Sequence, residues 1–143
     1  MFQQLKKRIK NEKGLTLVEL LAVIVILGII AAIAVPAIGN IIQNSRERAV
    51  LSEAINIISG AKIAHMNGDC TQANNTCDKA ALTPYVEGVT LPDGTQVVYT
   101  PASGTTEAAW TITYSKLTSD IKSTSKYHVG SPVTEKVIKG KID

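Results

Sequence analysis

The run Gly14-Leu15-Thr16-Leu17-Val18-Glu19 joins two stretches of opposite character. Before it lie Lys6, Lys7, Arg8, Lys10, Glu12 and Lys13, and after it, from Leu20 to Ser45, there is no charged side chain. Glu19 therefore stands at the mouth of a long apolar segment. A carboxylate deep in a bilayer costs about 2.5–3.5 kcal/mol on insertion scales, so its placement calls for a compensating partner. The apolar run is long enough to cross a membrane at about 1.5 Å per residue against a core of about 30 Å. It is greasy all round, as a helix in lipid or in a helix bundle must be.

Charge is unevenly placed. The chain of 143 residues has a formal charge of +3, yet residues 1–14 alone carry five basic side chains and one acidic. The remainder is slightly acidic, so the basic pI reflects the N-terminus and gives no argument for a nucleic-acid surface on the folded part. Lys and Arg ahead of a first apolar segment hold that side in the cytoplasm. As a cleavable secretory signal the segment fits poorly: Ala32 and Ala34 form a passable small-x-small site, against which Pro36 argues. A plain signal-anchor helix is the simpler alternative.

The segment Lys13-Gly14-Leu15-Thr16-Leu17-Val18-Glu19-Leu20-Leu21 resembles the processing site of type IV prepilins and pseudopilins, and the likeness extends over about the first fifty residues. The resemblance implies a leader of residues 1–14, cut between Gly14 and Leu15 by a prepilin peptidase that also methylates the new Leu15 amine. Glu19 then falls at the fifth mature position, where the family keeps a glutamate, and Gly28 and Pro36 fall at its helix-weakening positions. Leu15 departs from the phenylalanine usual there. Such cleavage leaves the apolar run on the mature protein. A free amine at Leu15 sits unfavourably at the positive end of a helix dipole, and the Glu19 carboxylate neutralises it within the chain or from a neighbouring subunit. In the second case it fixes the axial register of stacked subunits, as buried polar groups do in coiled coils.

One long helix is expected from Leu15 to about Met66, bent near Pro36 and locally unwound between Gly28 and Pro36 when packed in a filament. Residues 15–43 form its membrane and assembly half. Beyond Gln43, Leu51, Ala54, Ile55, Ile58 and Ala61 make an amphipathic stripe, with Ser45, Arg46, Glu47, Arg48, Ser52, Glu53 and Asn56 on the remainder. Gly68 is a stop signal. A polar turn region follows, then a helical turn at Lys79–Leu82. Strands are expected at Thr95–Thr100, after the Pro92-Asp93-Gly94 turn, at Trp110–Tyr114 and, more weakly, at Lys126–Val129. Val133–Ile142 reads equally as a strand or a short helix. Periodicity by itself supports an α+β fold, and the resemblance implies a long N-terminal helix packed on a small antiparallel sheet, with residues 44–143 as the head.

Cys70 and Cys77 on an exported domain imply a disulfide, worth about 2.5 kcal/mol by loop closure. A metal site from His65, Cys70, Cys77 and His128 lacks the usual paired spacing. Asp69, Asp78 and Asp93 are too scattered for a calcium loop. Asn74-Asn75-Thr76 matches a sequon of high chance frequency. Trp110, Tyr99 and Tyr114 are expected between sheet and helix. No catalytic constellation, cofactor motif or metal set is present.

The reading is a structural subunit of a type IV pilus-like filament, not an enzyme, stored in the cytoplasmic membrane and polymerised at the cell surface. The resemblance implies as partners the peptidase and methyltransferase, an assembly ATPase, a membrane platform protein, and further copies of the chain; DNA enters only in a competence role. Alternatives are a pseudopilin of a type II secretion or competence apparatus, and a membrane-tethered binding domain that never polymerises.

Overall fold

A computed structural model describes the backbone from Phe2 to Asp143 and the side chains from Thr16 onward. The elements, in order, are α1 (Phe2–Asn67), β1 (Thr76–Asp78), α2 (Lys79–Leu82) with a 3-10 turn at Thr83–Tyr85, β2 (Gln96–Thr100), β3 (Ala109–Thr113), α3 (Lys116–Ser119), β4 (Val133–Thr134) and α4 (Glu135–Ile142). The chain forms two compact units, one reaching to Ile42 and the other spanning Gln43–Asp143.

In the first unit, the described part of α1 is exposed throughout save for the half-buried Ala34. Its Leu, Ile and Val side chains are solvent-facing on every side, from Leu17 at 69% to Ile42 at 48% exposure. The helix continues without interruption through Gly28, Pro36 and Gly39.

In the second unit, one face of α1 makes half of a core. Val50, Leu51, Ala54, Ile57, Ile58, Ala61 and Ala64 are buried, related by steps of three, four and seven that place them on one helix face. Ile55 of the expected stripe is only half-buried, and Ile57 takes its place. The opposing half is a four-stranded antiparallel sheet in the order β1-β2-β3-β4. Its register aligns Cys77, Val97, Ile112 and Val133 in one cross-strand row of buried side chains. Tyr99 and Trp110 pair across β2 and β3 and continue that face. His65 near the end of α1 meets them edge-on, with ring centroids at 5.2 and 5.6 Å.

α1 stops as expected: Gly68 takes φ +82°, a conformation that suits glycine. A glycine inside the helix has a different role. A Cβ on Gly60 would lie 2.7 Å from Val86 Cγ2 and 2.9 Å from the Tyr85 carbonyl oxygen. The 3-10 turn therefore packs directly on the helix backbone. Gly60→Ala is expected to destabilise the head by about 1–3 kcal/mol, despite alanine's better helix propensity, because a backbone carbonyl must move. Thermal unfolding of the variant checks this.

Three expectations need correction. Lys126–Val129 is not a strand: the His128 amide bonds back to the Ser125 carbonyl at 3.1 Å, so this backbone is committed to a turn. Val133–Ile142 is neither strand nor helix alone, since β4 adds two residues to β3 before α4 begins. Glu47 does not belong to the solvated face; it is buried at 1% exposure. β1 and α3 were not anticipated. β1 forms in a polar, turn-rich stretch because Cys77 is tied to Cys70 and its backbone pairs with β2.

Candidate assembly site

The first unit offers one polar side chain of obvious chemical interest. Glu19 is exposed near the start of the described helix, followed by the uncharged run to Ser45. Its carboxylate enters no ion pair among the described residues. Gly14 and Leu15, the proposed cleavage pair, lie outside the residues whose side chains are described. Glu19 follows Leu15 by four positions, the spacing that puts two helical residues on one face. Ideal Cβ atoms on Gly28 and Gly39 would meet nothing within 4 Å, so each leaves a notch where another backbone can come close. Pro36 lacks an N–H, and the carbonyl four residues earlier, on Ala32, loses its helical donor.

The head holds its part of α1 by polar ties as well as by the core. Glu47 accepts from Gln43 Nε2 at 2.8 Å, from the Lys122 amide at 3.4 Å and from the Ser125 hydroxyl. Burial pushes its carboxyl up, but the bonds from Ser125, Gln43 and Lys122 outweigh burial and hold it below the ordinary range. Glu53 accepts from the buried Tyr114 hydroxyl at 2.6 Å and from Lys116 Nζ at 3.2 Å. Burial first, and then the Glu53 carboxylate, push the Tyr114 hydroxyl far above its usual value, so it stays a donor. Lys62 Nζ grips both oxygens of Glu135 at 2.8 and 2.7 Å, and Lys139 reaches the same carboxylate at 2.7 Å. Burial raises Glu135 while Lys139 and Lys62 lower it, and the lowering prevails.

These two glutamates set an acid limit. Each has a folded pKa below its ordinary 4.5, so the folded head binds fewer protons than the unfolded chain. Their contribution is complete above the unfolded value and is lost as pH falls through the lowered folded values. The melting temperature is expected to hold from neutral pH to about pH 5 and to drop below about pH 4.5. Glu47→Gln flattens that drop, measured by thermal unfolding against pH.

The other residues considered from the sequence have separate duties. Cys70 and Cys77 are joined in a disulfide, with Cα atoms 4.4 Å apart, which fastens β1 to the end of α1 and leaves no thiolate for a metal. His65 belongs to the aromatic cluster, and His128 lies in the loop after α3. Asp69 accepts from the Tyr85 hydroxyl, Asp78 caps α2 through the Ala81 amide at 2.9 Å, and Asp93 pairs with Lys79 at 2.7 Å. No group of three or more His, Cys, Asp or Glu suited to a metal occurs among the described residues. Glu47 is the residue that sequence reasoning missed. The signal was present, since Glu47 precedes Leu51 by four and Ala54 by seven and so extends the stripe by one turn.

Comparison with known proteins bears on the same segment. A family model described as the prokaryotic N-terminal methylation motif matches residues 9–35, across Gly14, Leu15 and Glu19. A type IV major pilin protein PilE1 of Neisseria gonorrhoeae is 32% identical over 132 residues, covering 86% of this chain and 60% of the relative. The motif and this relative support a likeness to the type IV pilin family. A second gonococcal PilE1 is 37% identical over 103 residues, covering 65% of this chain and 55% of the relative. The type IV major fimbrial protein FimA of Dichelobacter nodosus is 41% identical over 64 residues, or 42% of this chain and 38% of the relative. The chain spans little more than half the length of these two gonococcal relatives. No solved structure gives a significant match. The long helix with a small antiparallel sheet is the α+β arrangement expected of the family.

Proposed function

We propose that this chain is a structural subunit of a type IV pilus-like surface filament, polymerising through its N-terminal helix after removal of residues 1–14. The observation that carries the reading is the apolar surface of α1 from Leu17 to Ile42, exposed on all sides and carrying a single charge, Glu19, near its start. Such a surface requires lipid or other helices around it, and α1 is long and apolar enough to cross a membrane. The methylation motif over residues 9–35 supports the processing step, with cleavage between Gly14 and Leu15 and methylation of the Leu15 amine.

The subunit waits in the cytoplasmic membrane with its basic end inside. On assembly the apolar helix exchanges lipid for the helices of neighbouring copies and stays out of water throughout. The Glu19 carboxylate finds the Leu15 amine of a neighbour and sets the register. Gly28 and Pro36 loosen the helix so that it can adapt in the packed fibre. The partners are the processing peptidase and methyltransferase, an assembly ATPase, a membrane platform protein and further copies of the chain. The role is structural, without a catalytic site.

Mass spectrometry of the protein isolated from its native host tests this reading. A mature chain starting at N-methylated Leu15 is the expected result, and an intact Met1 would make the protein a simple membrane-anchored domain. Electron microscopy of sheared surface material then separates a long pilus from the short fibre of a pseudopilin.

A further inference from the structure

A hollow of about 380 Å³ opens on the head where α1, the loop after α3 and the end of α4 meet, with Arg48, Lys126, Lys141 and Asp143 among its lining residues. Three cations from three different elements converge there. Arg48 donates to the Ile142 carbonyl at 3.3 Å, Lys141 donates to the Lys126 carbonyl at 2.9 Å, and Lys126 Nζ lies 4.8 Å from the centre of the Tyr127 ring.

The manner of their holding sets them apart. Lys62, Lys79, Lys116, Lys136 and Lys139 each meet a carboxylate at 2.7–3.5 Å. The three cations of the hollow are instead fixed by neutral carbonyls and an aromatic face, which orient a charge without cancelling it. Asp143 is the one acidic residue among the described lining. Exposed cations gathered this way repel one another, and an anion with several acceptor oxygens relieves that repulsion while accepting from all three. A phosphate group has the size and the acceptors to do so.

Position in the chain indicates where such a phosphate comes from. Arg48 follows Ile42, the last apolar residue of the first unit, by six residues. Basic residues so close to the end of a membrane-crossing stretch lie within reach of the headgroup layer. We propose that the Arg48–Lys126–Lys141 hollow binds the phosphate of an anionic membrane lipid while the subunit is stored in the bilayer. The proposal rests on the membrane-inserted state argued above.

The test places the full chain in lipid nanodiscs of phosphatidylglycerol or of phosphatidylcholine and follows lysine acetylation by an amine-reactive reagent with mass spectrometry. Lys126 and Lys141 are expected to react at least about five-fold more slowly in the anionic discs, with Lys79 unchanged. Arg48→Gln weakens that protection about five-fold, and Arg48→Lys restores part of it. Equal rates in the two discs, with the protein incorporated in both, overturn the anionic-lipid site and leave the membrane reading intact. Failure to incorporate into either disc overturns the membrane reading itself and this proposal with it. Protection by millimolar inorganic phosphate in zwitterionic discs, with no effect of phosphatidylglycerol, overturns the lipid as ligand in favour of a free anion. Protection only by a DNA duplex overturns it in favour of nucleic acid.

Discussion

Glu19→Val is expected to abolish filament assembly while leaving the chain in the membrane. The substitution removes the carboxylate that opens the apolar surface of α1, where no ion pair engages it among the described residues. Membrane insertion therefore improves slightly, because a valine replaces a charged group at the mouth of the apolar run, where the cost is below the figure of about 2.5–3.5 kcal/mol for the bilayer centre. Assembly suffers for the opposite reason. In the proposed fibre, Glu19 of one copy meets the N-terminal amine of another, and its removal leaves that amine as an unpaired buried cation. Breaking one side of such a pair costs about 3–5 kcal/mol, repeated at each subunit. The measurement is the yield of sheared filaments beside the amount of membrane-bound subunit. Normal filaments from Glu19→Val would sink the assembly mechanism, whatever the state of the leader.

Ile112→Ala is expected to have the largest effect on the head itself. Ile112 is fully buried in the middle of the cross-strand row, paired with Val97 on one side and Val133 on the other. Truncation there leaves a cavity between sheet and α1 that β4, only two residues long, is poorly placed to close. Such substitutions cost about 2–5 kcal/mol. In a head of this size that lowers the melting temperature by roughly 10–30 °C. Ile112→Val is expected to cost only about 0.5–1.5 kcal/mol, and Val137→Ala, at an exposed site on α4, close to nothing. A small loss at Ile112 would show that the sheet row is not the main support of the head.

The sequence made the helical and chemical ends of the molecule legible, and the reasons are local. Glu19 beside a charge-free run, the Gly68 stop and the Lys79–Leu82 turn all follow from composition, periodicity and capping within a few residues. β2 and β3 were found to within a residue because their alternation is regular and a turn precedes the first. The misses concern partners distant in the chain. Glu47 is buried because Lys122 and Ser125, some seventy-five residues later, fold back on it. Lys126–Val129 has a strand-like pattern, with Tyr127 and Val129 both buried, but its backbone bonds inward as a turn. Thr76–Asp78 becomes a strand only because the disulfide and β2 recruit it. Of the assembly residues, the motif was readable at once, whereas the basic hollow joins α1 to a loop and helix near the end of the chain and leaves no mark in any short window.

The core face of α1 has a consequence for how this protein can be divided. Because Glu47, Leu51, Ala54 and Ile58 are structural parts of the head, a water-soluble fragment must start no later than about Gln43. Starting there discards the greasy stretch yet keeps the side chain that clamps the Lys122–Ser125 segment. A boundary drawn at Arg48 or later removes Glu47, and the clasped loop would then be left without its anchor.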